Sequence, residues 1–392
     1  MLPPTPIEDA NAPPPPPPRP SLRTQLPTEE EEIAAAAADS DADPHDLGLQ
    51  DIWDEPPDDL PPPLLHDSTA AAAAYDPDTY GDVPKSLFKL NRQEIMLQHA
   101  VGTGNFGAVM KGVWLHGQTN IPVAVKSLKP PDATAPGAAE VTSIDNDILK
   151  EAETMKHLEH QSVIKMLGVC VDGDPYMLIL EFAPLGPLHK FLRKNKTFPI
   201  PFILELMLQV AEGMAYLESK SLVHRDLAAR NILLVNERTA KISDFGLSKA
   251  IGKEQDYYRA GTAGRWPLKW YAPEAIYYWK FDSRTDVWSF GVTLWEATSY
   301  GAPPYKGMKG EEIISLIEAG QRLEQPHKCP NSVFNVLLKC WTYAPKARPT
   351  FGEVVVMMQE QVVFHGSGGG GGGGGGDVVG AASFAPNDMA FG

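Results

Sequence analysis

The chain has 392 residues, 43% of them hydrophobic and 21% charged, with a formal net charge of −16. That length is enough for two packed lobes and a sizeable core. Its 3 cysteines, Cys170, Cys329 and Cys340, make neither a disulfide framework nor a zinc-binding spacing, which leaves a reducing compartment as the expectation. No uninterrupted apolar run approaches the ~18 residues needed to span a bilayer.

Charge is unevenly placed. Residues 1–86 hold 19 Asp/Glu against 3 Lys/Arg, a net of −16, whereas residues 87–392 hold 31 of each. The first segment opens Met1-Leu2-Pro3-Pro4, which is neither a signal peptide nor a myristoylation site. It also carries a proline run from Pro13 to Pro18, Glu29 to Glu32, and alanine runs at 34–38 and 70–74. It has too little apolar surface to offset the entropy of ordering, so residues 1–86 are expected to be a disordered acidic linker. Its acidity argues against nucleic acid and anionic membrane as partners. Pro14, Pro17 and Arg19 have a spacing that Src-homology-3 domains read, although a stiff spacer is the plainer use of such a run.

The first chemical motif is Gly102-Thr103-Gly104-Asn105-Phe106-Gly107. Glycines let backbone N–H groups approach phosphate oxygens closely. Two readings start level, a dinucleotide-binding turn that opens a helix and a phosphate loop between strands, with a plain turn as a third. Val109, Lys111 and Val113 then alternate with Ala108, Met110 and Gly112, a period of two that favours a strand. Val123-Ala124-Val125-Lys126 follows, a short apolar strand ending on a lysine, as in the V-A-I-K signature of kinases.

A half-buried lysine needs an acid. Ile148, Ala152 and Met155 recur at helical spacing and place Glu151 as the candidate partner, with Glu153 the rival on another face. The connection before this helix, roughly 128–147, contains Pro130-Pro131 and Pro136-Gly137 and is expected to be a long flexible loop that loosens the pairing of Glu151 with Lys126. Ile203, Leu206, Val210, Met214 and Leu217 then mark a long helix with a buried face.

His224-Arg225-Asp226-Leu227-Ala228-Ala229-Arg230-Asn231 matches H-R-D-L-x-x-x-N, where the Asp receives a substrate hydroxyl proton and the Asn holds a metal. Ala228-Ala229-Arg230 is the tyrosine-kinase variant of that loop. Asp244-Phe245-Gly246 comes 13 residues after Asn231, and Ala272-Pro273-Glu274 closes the intervening segment. Its Glu274 needs a partner if buried.

From about Phe88 to Val363 the chain resembles the catalytic domain of the spleen tyrosine kinase (Syk) family, which includes the zeta-chain-associated kinase. Gly104 to Gly107, Gly186-Pro187-Leu188-His189-Lys190-Phe191-Leu192, Leu222 to Ala250, Asp256-Tyr257-Tyr258 and Trp266 to Glu274 carry the likeness. It implies an α+β, bilobal protein-kinase fold over 87–363. The β-rich N-lobe would run to about 182 and the mainly helical C-lobe from 183, followed by a Gly-rich disordered tail over 364–392. It implies ATP and Mg²⁺ as cofactors. Gly102, Thr103, Gly104, Asn105, Phe106, Gly107, Val109, Ala124, Lys126, Leu180, Glu181 and Ala183 would line the nucleotide site. Asp226, Arg230, Lys126 and Glu151 would be catalytic, and Asn231 and Asp244 would hold metal. Arg348 would pair with Glu274, and Asp286 would anchor the catalytic loop.

Tyr257 and Tyr258 are expected to be regulatory phosphotyrosines, with Arg225, Arg259 or Arg265 as phosphate partners. Tyr75 and Tyr80 resemble the family's linker tyrosines and are expected to be phosphorylated and to recruit partners, phosphotyrosine-binding domains among them. The family's tandem Src-homology-2 domains have no counterpart in these 392 residues. The expected activity is a cytoplasmic protein tyrosine kinase acting on tyrosines in acidic context, recruited to the inner face of the plasma membrane by partners. The alternative is a pseudokinase scaffold, but Lys126, Glu151, Asp226, Asn231 and Asp244 are all present.

Overall fold

The period of two in the N-terminal strands becomes the two faces of one sheet. In this computed structural model, residues 89–104, 107–127, 141–252, 255–260 and 267–366 are described. The expectations for 1–86, Asn105, Phe106, Arg265 and the tail beyond 366 lie outside the described residues. Strands β1 (Ile95–Gly104), β2 (Gly107–His116), β3 (Thr119–Ser127), β4 (Met166–Cys170) and β5 (Met177–Glu181) form an antiparallel sheet in the order β1-β2-β3-β5-β4. Ile121, Val123 and Val125 of β3 point to one face, where they pack with Trp114, Met177 and Ile179 in a small core. The alternate residues Ala124 and Lys126 lie opposite Leu180 and Leu178 of β5 on the other face.

That second face does not end within the N-lobe. Leu178 and Leu180 join Ile148, Ala152 and Met155 of α1 (Val141–Met155) in a cluster continuous with the C-lobe core. Each fully buried Leu, Ile or Met contributes about 1.5–3 kcal/mol relative to exposure, so this shared face couples the lobes strongly. The helix already begins at Val141, within the expected 128–147 loop, and the expectation for 128–140 lies outside the described residues. Ile144 stands four residues before Ile148 and extends the apolar periodicity backwards, a signal the Pro/Gly content obscured.

The C-lobe opens with β6 (Gly186–Pro187), α2 (Leu188–Lys194) and α3 (Ile200–Ser219). By length and composition α3 could cross a membrane, yet Ile203, Leu206, Met207, Val210 and Met214 are buried inside the protein, so it is a core helix. Short strands follow: β7 (Leu222–Val223), β8 (Ile232–Asn236), β9 (Thr239–Ile242), β10 (Lys249–Ala250) and β11 (Tyr258–Arg259). After α4 (Pro273–Tyr278) and β12 (Lys280–Phe281) comes α5 (Ser283–Thr298), capped by Asp282. Helices α6 (Gly310–Glu318), α7 (Asn331–Cys340) and α8 (Phe351–Gly366) complete the lobe. α8 runs to Gly366, past the expected tail boundary at 364, and its His365 Nε2 lies 3.1 Å from Ser332 Oγ.

The approach of α3 to the loop after α1 has no spare room. A Cβ at Gly213 would sit 2.7 Å from Ile242 Cδ1 and 3.1 Å from the carbonyl oxygen of Ser162. Alanine is the better helix former by about 0.5–1 kcal/mol, but overpacking against a backbone oxygen costs about 1–3 kcal/mol. Gly213→Ala is therefore expected to destabilise the protein. Urea unfolding checks the sign, and an equal or higher midpoint would contradict the packing argument.

Candidate active site

The loop from His224 to Asn231 lies between β7 and β8 with its backbone laid on α5. Asp286 accepts from the N–H of His224 at 2.7 Å and of Arg225 at 3.0 Å. Thr293 Oγ1 donates to Leu227 O at 3.3 Å. Glu296 Oε2 accepts from the N–H of Ala229 at 2.9 Å and from Trp270 Nε1 at 2.8 Å. The predicted anchor Asp286 is thus one of three side chains on the same helix that satisfy the loop. Both acids are fully enclosed, and burial pushes each carboxyl up to about 7 despite the N–H donors.

Held this way, the loop presents Asp226. Asn231 Nδ2 donates to Asp226 Oδ2 at 2.8 Å and to its backbone oxygen at 2.7 Å, and Arg230 Nη2 donates to Oδ1. Burial raises the Asp226 carboxyl above its ordinary value, with the Arg230 charge opposing. The guanidinium of Arg230 lies over the Trp270 ring, 4.3 Å from its centroid. Beside it, His224 is pushed down to about 4 by burial and is neutral. Its Nδ1 accepts from Asp226 N at 3.2 Å while Nε2 faces Ser243 O at 3.2 Å, which places the proton on Nε2.

Across the cleft, Lys126 Nζ meets both oxygens of Glu151, at 2.9 and 2.8 Å, and Asp244 Oδ1 at 2.9 Å. Burial alone would lower the lysine, but Asp244 and Glu151 outweigh it and hold the ammonium charged. Burial would raise Asp244 as well, and the facing Lys126 overrides it to keep that carboxyl low. The expected loosening of Glu151 from Lys126 is corrected, since α1 is anchored by Ile148, Ala152 and Met155 in the shared core. Glu153 is on the outer face, 3.5 Å from exposed Lys156.

Asp244 itself sits at φ 66°, and Phe245 is buried with its ring 5.1 Å from that of His224. The predicted Glu274–Arg348 pair forms as a fork, at 2.5 and 2.9 Å, with the arginine side chain wholly enclosed. Arg225 donates to Leu247 O at 3.0 Å and covers the rings of Phe281, at 4.3 Å, and Tyr258, at 4.8 Å. Tyr258 and Arg259 pair with Phe281 and Lys280 in a short ladder. Tyr257 is exposed, with Lys280 Nζ 4.4 Å from its ring centroid. Arg259 is exposed.

In the glycine hairpin Gly102, Thr103 and Gly104 stand opposite Val109, Ala108 and Gly107. A Cβ at Gly102 would meet nothing within 4 Å, so packing inside the protein does not demand a glycine there. Of the connector between lobes, Glu181 was expected to offer backbone groups to a nucleotide. Its side chain is buried, with Oε1 2.8 Å from Lys241 Nζ and accepting from Lys165 N at 2.8 Å. Its own N–H is given to Lys165 O at 3.0 Å. Ala183 is buried and its carbonyl accepts from Gly186 N at 3.2 Å.

Glu296, Thr293 and Lys241 escaped the motif reading. Each lies outside the short signatures, although Glu296 left one signal: an acid within the run 287–298 of α5, whose other side chains are apolar or hydroxylic.

The profile of the family described as protein tyrosine and serine/threonine kinase matches residues 95–358, and the chain belongs to that family. Its kinase domain is of the Syk type. It is 47% identical over 269 residues to tyrosine-protein kinase SYK of Gallus gallus, covering 68% of this chain and 42% of that protein. It is 46% identical over 295 residues to tyrosine-protein kinase ZAP-70 of Homo sapiens, covering 75% and 46%. Tyrosine-protein kinase HTK16 of Hydra vulgaris is 44% identical over 269 residues, covering 67% and 34%. The chain thus spans less than half the length of these relatives. Members of the family use ATP with a divalent metal.

Glu274→Ala would strand the enclosed Arg348 without its carboxylate and is expected to cost on the order of 3–5 kcal/mol. A urea-unfolding difference below about 1 kcal/mol would show that the remaining carbonyl acceptors of Arg348 suffice.

Proposed function

We propose that this chain is a protein tyrosine kinase, transferring the γ-phosphate of ATP to tyrosine hydroxyls. One observation carries the reading. Lys126 is clamped by Glu151 and Asp244 on one side of the cleft while Asp226 is presented by Asn231 and Arg230 on the other.

The residues divide the work. Glycine N–H groups of the 102–107 hairpin approach the phosphates, which explains a glycine at position 102 that packing does not require. Lys126 pairs with the α- and β-phosphates. Val109, Ala124 and Leu180 lie opposite one another or one step along on the Lys126 face of the sheet and line the adenine pocket, with the backbone of 181–183 at its edge. Asp226 receives the phenolic proton as the tyrosine oxygen forms its bond to the γ-phosphorus. The bond from that phosphorus to the β–γ bridging oxygen breaks, and ADP leaves. Catalysis of this kind is mostly positioning and charge stabilisation.

Asn231 and Asp244 fit a divalent metal. With Asn231 Nδ2 committed to Asp226, its carbonyl oxygen is the donor left for a cation, and Asp244 is held ionised. Two protein donors suit Mg²⁺, an ion that keeps few protein ligands and takes phosphate and water for the rest. Mg²⁺ when bound would neutralise charge on the phosphate oxygens.

The Ala228-Ala229-Arg230 sequence and the Arg230–Trp270 stack support a deep phenol rather than a short serine. Arg230 and Lys269 favour acidic residues around it. Tyr257 and Tyr258 act as the switch: Arg225 rests on the Tyr258 ring, forms no close carboxylate pair among the described residues beyond a charge attraction to buried Asp286, and is available to a phosphate. Tyr75 and Tyr80 recruit phosphotyrosine-binding partners, and the proline run serves Src-homology-3 domains. Such partners would bring a cytoplasmic kinase to the inner face of the plasma membrane.

Labelled phosphate transfer to an acidic tyrosine copolymer tests the reaction, and Asp226→Asn is expected to lower kcat by about 10²–10⁴-fold. Equal use of serine and tyrosine peptides would overturn the substrate assignment. Tyr257→Phe with Tyr258→Phe should abolish the rise in kcat that follows preincubation with ATP. Tyr75→Phe with Tyr80→Phe should leave kcat unchanged and remove tail phosphotyrosine and partner capture. Mass spectrometry and a pull-down with a phosphotyrosine-binding domain decide the second pair, and unchanged phosphotyrosine there would end the recruitment idea.

A further inference from the structure

Glu296 is an acid that the reaction does not use, enclosed at 5% exposure in the middle of α5. A buried carboxylate of this kind is costly and persists only when its hydrogen bonds are needed. Its two donors come from different parts of the chain. Ala229 N belongs to the catalytic loop, one residue before Arg230. Trp270 Nε1 belongs to the segment that follows the activation loop. Both arrive at the same oxygen, Oε2, so one atom sets the distance between loop and wall. Ser289, two turns earlier on α5, reinforces the wall by donating from Oγ to Trp270 O at 2.7 Å.

What these bonds hold in place is a stack. Arg230 has its guanidinium 4.3 Å from the Trp270 ring centroid and gives Nη2 to Asp226. Its Nη1 is enclosed and has no hydrogen-bond partner among the described residues. An enclosed, unpartnered guanidinium nitrogen beside a proton-accepting carboxylate is a donor waiting for an oxygen. If the Trp270 ring were free to turn, Arg230 would lose its platform, and the donor would no longer be aimed.

We propose that Glu296 is a positioning residue that, through one oxygen, locks the Trp270 ring and the Arg230 guanidinium into a single seat for the acceptor tyrosine. The proposal rests on the tyrosine-kinase reading and deepens it. It assigns the aim of Arg230, and so the handling of the phenolic oxygen, to an atom that touches neither substrate nor nucleotide.

The two-donor geometry yields a specific pattern of variants in the full chain. Glu296→Gln can place its amide oxygen where Oε2 stands and keep both bonds, so its kcat/KM for a tyrosine peptide should stay within about threefold of the parent. Glu296→Ala loses both bonds and should lower that kcat/KM by about 10- to 100-fold, the scale of an ångström-sized misplacement. The KM for ATP should hold, and the slow hydrolysis of ATP in the absence of peptide should fall much less than peptide transfer, because water needs no seat. Trp270→Phe keeps an aromatic face but has no Nε1–H, and should move peptide kcat/KM in the same direction by less. It also decides the matter if Glu296→Ala does not fold. Three results would overturn the proposal: unchanged peptide kcat/KM in Trp270→Phe, peptide transfer and ATP hydrolysis lost in equal measure in Glu296→Ala, or Glu296→Gln as impaired as Glu296→Ala. Failure of the parent protein to phosphorylate tyrosine would instead defeat the underlying kinase reading, before any variant is compared.

Discussion

The site depends on one constraint: the backbone of residues 224–229 is irregular and buried, so most of its polar groups need partners that no regular ladder supplies. Helix α5 supplies the partners. Asp286, Thr293 and Glu296 take up the groups of His224, Arg225, Leu227 and Ala229, and Ser289 fixes Trp270 from the same helix. The arrangement opposes itself in part, because enclosing Asp286 and Glu296 raises both carboxyls to about 7. Four N–H donors to the two acids offset that cost. A loop held this way needs no strong conformational preference of its own, which is why Arg225 can sit at φ 68° next to Asp226.

The N-lobe reaches the same frame by a different route. Its sheet has two chemically distinct faces, and the one bearing Lys126 continues into the C-lobe core through α1 and Leu178. Glu151 rides on that helix, so its grip on Lys126 reports the packing of Ile148, Ala152 and Met155 rather than the connection before the helix. The Lys241–Glu181 pair adds a second tie between lobes, at the connector, with the glutamate almost wholly enclosed. Glu181 therefore serves the joint with its side chain, and any part it takes in binding falls to the backbone.

What could be read from the residues was the chemistry that runs along short stretches. Lys126, Asp226, Asn231, Asp244 and Glu274 sit in compact signatures, and β2, β3, α1 and α3 in clear periods of two or 3.6. Glu151 was chosen over Glu153 on helical face alone, and the face decided correctly. What escaped was whatever depends on long-range contact. The start of α1 was hidden by a Pro/Gly-rich approach. Glu296 and Lys241 belong to no signature, and their partners are 67 and 60 residues away in the chain. Local patterns record the period of a strand or helix. They do not record which buried oxygen will be called upon by a loop folded over it.

Charge marks where the proposed regulation would attach to this frame. Around the cleft, Lys126 is matched by two carboxylates and Arg230 by Asp226. Arg225 differs: its guanidinium touches a carbonyl oxygen and two aromatic rings, feels the buried Asp286 carboxylate only as a weaker charge attraction, and its Nε has no hydrogen-bond partner among the described residues. A cation lodged against rings is held by a modest attraction of about 0.5–2 kcal/mol. A doubly charged phosphate with several acceptor oxygens would bind it more strongly than that. The Tyr258 ring thus occupies the place that a phosphate on this segment would contest, and it does so one residue from Asp226. Because α5 fixes the loop backbone on either side of Arg225, the competition is confined to the guanidinium and the activation segment. The proposed switch would then move the segment without disturbing the Asp226 carboxylate.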